Sequence, residues 1–260
     1  LAWDGFRPQS AASKTAASGR LAWQGELDRV IVLASVLDQP ADDPLGLTRA
    51  QFDADPYQTT PQATQFDTRK TLNQQQVGAR WTHRFANAGP LAESAVTAYF
   101  GERSVTQWLA IAAGTQANPR HGGGVIDFDR SYDGVDARLT WRFGAASVVT
   151  GAAIERQRDD RRGFLNYTGT VAAPTYGVIG ELRRDENNSA TSRDLYAQAE
   201  LPLGESFALS GGFRSSRVKL AASDNFLSNG PDSGRRGSGL SRVTRFGSST
   251  SLAPIIVSPY

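Results

Sequence analysis

The sequence predicts an all-β chain, a segment of an antiparallel transmembrane β-barrel with about eight strands, long extracellular loops and short periplasmic turns. Three observations carry that prediction. Apolar and polar residues alternate with period two in many segments, the connections switch regularly between short and long, and aromatic residues sit at segment ends beside the short connections.

Alternation is the mark of a strand whose two faces meet different surroundings. In chain order the segments run over about 14–23, 28–37, 76–85, 93–107, 135–143, 147–158, 195–201 and 207–220. The cleanest is the fifth, where Val135, Ala137, Leu139, Trp141 and Phe143 alternate with Asp136, Arg138, Thr140 and Arg142. In the third, Val77, Ala79, Trp81 and Phe85 alternate with Gln76, Gly78, Arg80, Thr82 and Arg84, and His83 alone breaks the pattern. In the seventh, Leu195, Ala197, Ala199 and Leu201 alternate with Tyr196, Gln198 and Glu200.

The connections at 24–27, 86–90, 144–146 and 202–206 are short and carry the Gly, Pro or Asn that tight hairpins require. Those at 38–68, 109–131 and 159–192 are long and polar. Such lengths are uncommon inside a compact domain and expected of an outer-membrane barrel. Trp23, Phe85, Trp141, Phe143 and Phe207 fall beside the short turns, where amphipathic rings form a girdle at the lipid headgroups. The same aromatics would serve as the inner core of a sandwich. Arg80, Arg84, Asp136, Arg138, Arg142, Glu200 and Arg214 fall on the opposite faces and suit a water-filled lumen or a solvated sheet face equally.

Composition excludes several classes of function. Lys+Arg 28 against Asp+Glu 26 leaves a net charge of only +2, with both signs mixed along the chain, so no nucleic-acid partner is expected. Cys 0 removes disulfides, thiolate metal sites and cysteine nucleophiles. The longest apolar runs, Val30–Ala34 and Trp108–Ala113, fall far short of the roughly 20 residues of a spanning helix. The chain begins at Leu1 and contains Met 0, as expected of a fragment.

No enzyme is predicted. His121-Gly122-Gly123-Gly124 matches the oxyanion loop of lipases, but no Gly-x-Ser-x-Gly nucleophile elbow accompanies it, and the simpler reading is a flexible loop. The two histidines, His83 and His121, lack metal-site spacing. The adjacent carboxylates Asp42-Asp43, Asp159-Asp160 and Asp185-Glu186 are poorly placed for glycosidase chemistry, which needs two carboxyls about 5 to 9.5 Å apart across a bond. Calcium at Asp42 and Asp43, or at Asp127 and Asp129, is weighed against a solvated loop, which is preferred. No cofactor is expected.

Beyond the pattern, particular stretches carry a resemblance. These are Leu37–Pro56, Ala117–Arg130 with Tyr132–Asp136 after it, and Asp160–Phe164 with Leu182–Asn187 further on. Together the stretches resemble the TonB-dependent outer-membrane receptors and, within them, the ferric-siderophore group. The resemblance covers roughly residues 1–227 and implies a barrel of about 22 strands around an internal plug, of which this chain would hold the eight strands and no plug. Residues 228–260 depart from the pattern and are expected to be irregular, as a shifted reading frame or a truncated gene product would be.

The resemblance implies uptake of a ferric siderophore or similar metal chelate across the bacterial outer membrane, energised by the TonB complex through parts outside this chain, with membrane lipid as a further partner. Ligand capture then falls to cationic side chains of the long loops and the upper lumen wall, because guanidinium groups grip carboxylates bidentately. Arg120, His121, Arg158, Arg161, Arg162, Arg183 and Arg184 are the candidates. The alternative is a secreted all-β binding module that holds carbohydrate or another ligand in its loops. A third reading, an outer-membrane enzyme on a smaller barrel, lacks a nucleophile and base.

Overall fold

The computed structural model describes residues 1–204 and 207–225, and the backbone of 245–259. In chain order the elements are β1 (Ala2–Trp3), β2 (Ala12–Ser13), β3 (Thr15–Gln24), β4 (Asp28–Asp42), α1 (Arg49–Ala54), α2 (Pro61–Phe66), β5 (Arg69–Arg84) and β6 (Leu91–Trp108). There follow α3 (Ala113–Gln116), β7 (Val125–Phe143), β8 (Ala146–Phe164), β9 (Tyr167–Thr170), β10 (Ala173–Tyr176), β11 (Leu182–Leu203), β12 (Phe207–Asp224) and β13 (Arg245–Pro259). One antiparallel sheet of eleven strands runs in the order β1-β2-β4-β5-β6-β7-β8-β11-β12-β13, with β3 also on β4, while β9 and β10 form a separate ribbon. The two outer edges, β3 and β13, do not meet, so the sheet is an open barrel wall.

Cross-strand partners share a face. In register, Trp23, Val30, Trp81, Val96, Ala137, Ala152 and Leu195 form a single row across β3, β4, β5, β6, β7, β8 and β11. Nothing among the described residues covers this face: Leu21 is 71% and Leu195 63% exposed. A sandwich would bury such a row beneath a second sheet, and no such layer is present among the described residues. The opposite face carries Arg80, Thr97, Asp136, Ala153 and Asp194 in one row.

All eight expected strands are present, and their short-turn ends match the alternation closely. Gly144 makes the two-residue turn between β7 and β8 possible, because its φ of +63° is one that side chains with a Cβ rarely adopt. The long-loop ends differ from expectation. β4 runs on to Asp42, β7 begins at Val125, β8 continues to Phe164 and β11 begins at Leu182. The ladder is made by backbone groups, so pairing continues where both faces are wetted and the alternation has vanished. Arg161, Arg162, Arg183 and Arg184, expected in loops, are therefore strand residues, while Arg158 lies in β8 as the alternation implies.

A second correction concerns the tail. The stretch 245–259, expected to be irregular, forms β13 against β12. An unpaired strand edge offers a row of free N–H and C=O groups that an extended chain satisfies without needing alternation. Pro254 falls where the register slips between Ser210↔Ile256 and Gly212↔Ala253, a position that demands no ladder bond from it. Residues 226–244 and 260 of the expected tail lie outside the described residues.

The long loops fold into small structures of their own. α1 is closed by a capping box between Thr48 and Gln51. α2 starts with Pro61 at its first position and buries Ala63 and Phe66. A minor core of Ala113, Leu165 and Tyr167, with Tyr176 against it, joins two loops. No helix among the described residues is long and apolar enough to cross a membrane, which says nothing of crossing by strands.

Candidate ligand-binding site

The polar face is organised by tyrosines lying over glycines. Tyr99 is paired with Gly134, Tyr132 with Gly101 and Tyr196 with Gly151, and a Cβ on Gly151 would stand only 2.2 Å from the Tyr196 ring. Because the rings lie flat on the neighbouring strand, their hydroxyls reach polar partners. Tyr99 donates to Glu155 at 3.0 Å, Tyr132 to Gln76 at 2.8 Å and Tyr196 to Asp136 at 2.8 Å. Asp194, 3% exposed, accepts from Ser192 and Ser216 and pairs with Arg214 at 3.2 Å. Closer to the long loops a recess of about 370 Å³ opens beside Arg103, Arg130 and Tyr132. Arg130 grips Asp159 with two bonds of 2.8 and 2.9 Å, whereas the buried Arg103 Nε has no hydrogen-bond partner among the described residues. The sequence reading missed this wall. Its signal was a Tyr on one strand matched by a Gly on the next, which is visible only once the register is known.

At the long-loop end the structure gathers four of the seven predicted residues. Asn118 ties the Arg120 turn, accepting from the Arg120 N–H at 3.0 Å on its side chain and from Arg183 Nη2 at 3.1 Å on its carbonyl. Arg184 packs against Gly122 and pairs with Glu186 at 3.1 Å. His121 Nδ1 accepts from the Gly123 N–H at 3.1 Å. Burial, then the positive charges of Arg183 and Arg184, hold the His121 imidazole below its ordinary pKa. Arg161 belongs to the polar face, between Phe128 and Glu186 in register. Arg158 and Arg162 fall on the other face, in line with Ile154 and Ala152. Arg162 is held by Asp127 at 3.1 Å and Asp129 at 3.4 Å.

The glycine run after His121 is a loop leading into β7, as expected, and it lies closely against the Phe164 backbone and Asn166. Gly123 has a φ of +91°, and a Cβ there would lie 2.2 Å from the Phe164 carbonyl oxygen. Asn166, fully buried, locks the same loop: its Nδ2 donates to the Leu109 and Ile111 carbonyls at 2.7 and 3.1 Å, and its Oδ1 accepts from Gln116 at 2.6 Å. Every polar atom of the Asn166 side chain is thereby satisfied.

A second recess, of about 890 Å³, was not foreseen. It lies between the first residues of the chain and the α1 loop. Phe6 and Tyr57 meet edge to face, Arg7 lies over Phe6 and Arg49 over Phe52. Such walls suit a planar anionic ligand. Among the described residues no group of three or more His, Asp or Glu side chains is placed to hold a metal ion directly.

An uncovered apolar face, a polar face and elaborated loops at one end match the plan of a transmembrane barrel wall. The family model described as TonB dependent receptor-like, beta-barrel matches residues 18–248. The chain belongs to the TonB-dependent receptor β-barrel family. Among solved structures it is similar to the ferric citrate transporter FecA in its unliganded form, with a TM-score of 0.65 at 14% identity over 95% of this chain and 33% of that one. The copper transporter OprC gives 0.64 at 14% identity, over 94% and 34%. The open form of the ferric-catecholate import receptor Fiu from E. coli K12 gives 0.64 at 15% identity, over 95% and 44%. At these identities the likeness shows the fold, and the chain spans between 33% and 44% of the length of these structures.

Proposed function

We propose that the chain is part of the wall and loop crown of an outer-membrane receptor that takes up a ferric siderophore or similar metal chelate, energised through TonB. The observation that carries this reading is the pairing of an uncovered apolar face with a crown of cationic side chains at the long-loop end. The apolar face would meet lipid, the polar face the lumen, and the loops the outside. The similar structures include a ferric citrate transporter, a copper transporter and a ferric-catecholate import receptor, which supports metal cargo as the class.

The wall makes and breaks no covalent bond in this reading. Arg120, Arg183 and Arg184 supply the charge that draws an anionic chelate, and His121, kept neutral, adds no repulsion to its neighbours. Arg161 and the Arg103 recess continue the cationic path along the polar face. A secreted module is disfavoured because its apolar face would need a covering layer.

The test is binding and uptake of radiolabelled ferric citrate and ferric catecholate chelates by cells producing the receptor that carries this segment. Replacing Arg183 and Arg184 together by Gln should weaken chelate binding about tenfold or more, each charge-assisted contact contributing on the order of 1.5–3 kcal/mol. Unchanged binding in that variant, or no uptake of any chelate, would overturn the reading.

A further inference from the structure

One side chain at the top of β5 touches all three long connections. Arg69 is the first residue of β5. Its guanidinium carbon lies 3.7 Å from the centre of the Trp108 ring, at the end of β6 where the connection 109–124 begins. Its Nη1 donates to the Asp67 carbonyl at 2.8 Å and pairs with the Asp67 carboxylate, at the end of the connection 43–68. Its Nη2 donates to the Gly177 carbonyl at 3.1 Å. Gly177 belongs to the connection between β8 and β11, whose ribbon of β9 and β10 thus leaves the sheet at β8 and reaches back past the ends of β7 and β6 to β5.

Other contacts converge on the same joint. A Cβ on Gly177 would come within 3.1 Å of the Asp67 Cβ, so the ribbon lies flush against the end of α2. The Phe66 and Tyr176 rings are 4.4 Å apart, and the Tyr176 hydroxyl accepts from the Ala113 N–H at 3.0 Å. The Gly177 N–H donates to the carbonyl of Asn166, whose side chain holds Gln116 in the connection 109–124. Gln9 Nε2 donates to Asp67 Oδ1 at 3.0 Å, and these two residues have positive φ, 57° and 48°. Such backbone strain persists only where the surroundings over-determine it. Trp108 Nε1 is buried with no hydrogen-bond partner among the described residues, a cost that fits a tryptophan held for the stacking of its ring.

We propose that Arg69 is a positioning residue: its guanidinium clamps the three connections into one rigid body. Arg120 and His121 in the middle connection, and Arg183 and Arg184 at the foot of the last, then present a charge array that is formed before any ligand arrives. These connections move together or not at all when ligand is captured. Arginine suits the task because its plane stacks on a ring while its edge donates hydrogen bonds, which an ammonium group does not combine. A preformed array binds without the ordering cost of gathering mobile loops. The clamp goes beyond the proposed function, and only its effect on chelate binding rests on that reading.

The test uses spin labels on the full 260-residue chain in detergent micelles. Because the chain has Cys 0, Gln62→Cys on α2 and Ala172→Cys between β9 and β10 supply the only thiols. Both positions are exposed. Double electron–electron resonance should give one narrow distance distribution, and Arg69→Gln should broaden it about twofold or more. Arg69→Lys should broaden it as well, since charge alone does not supply the fork. Gly177→Ala disturbs the same contact from the ribbon side, should act likewise, and decides the matter if circular dichroism shows Arg69→Gln unfolded. A broad or two-peaked distribution in the parent, or a narrow one in any folded variant, would overturn the clamp. In cells producing the receptor that carries this segment, Arg69→Gln should weaken chelate binding about fivefold and leave uptake at saturation unchanged. Unchanged affinity would overturn the positioning role. If neither ferric citrate nor a ferric catecholate binds, the receptor reading fails, and the label distances still judge the clamp.

Discussion

His121 shows how one side chain can tie loop order to pH. Its Nδ1 accepts a backbone N–H, which requires the neutral ring, and its folded pKa lies below the ordinary value. The unfolded loop therefore takes up a proton that the folded loop refuses, so acid favours opening. The stabilisation is full above about pH 6.5 and declines as pH falls below it. We expect protection of the Gly123 amide against hydrogen exchange, corrected for intrinsic rates, to drop on going from neutral to mildly acidic pH. His121→Asn should remove that pH dependence, and a flat profile in the parent chain would refute the assignment. The Gly122–Gly124 run beside it is there because the loop backbone comes against Phe164 and Asn166.

At the scale of elements, the tyrosine-over-glycine pairs knit neighbouring strands on the polar face. Gly151→Val would push the Tyr196 ring off β8 and break its bond to Asp136. The expected cost is about 1–3 kcal/mol. Tyr196→Phe keeps the ring and loses only the hydroxyl, for about 0.5–1.5 kcal/mol. Urea titration in micelles would rank the two variants, and a Gly151→Val variant as stable as the parent would contradict the packing. The strands themselves were legible where one face is apolar, as in 135–143 of β7, and illegible at 125–134, where Asp127, Asp129 and Asp133 share the outward face and no alternation survives.

For the whole molecule, the apolar face and the two open edges set the behaviour in solution. Among the described residues the outer edges of β3 and β13 have no partner strand, and the face with Trp23, Trp81 and Leu195 presents large apolar side chains to whatever surrounds it. Both are templates for association in water. The isolated chain should aggregate in plain buffer and become monodisperse in detergent or lipid, as read by light scattering with gel filtration. A folded monomer in buffer alone would sink the barrel-wall assignment.

The sequence by itself determined the strand class, the order of short and long connections and the apolar face, because period-two alternation and turn chemistry are local properties. It also carried the family resemblance, which the match over residues 18–248 bears out. Only the tertiary structure decided which charges share a face. Arg161 and Arg162 are adjacent in the chain, yet one lies in the polar-face row and the other beyond the apolar row. Arg193 and Arg217 are far apart in sequence and directly opposed in the sheet. Facing depends on register, and register is a relation between strands that no single segment encodes.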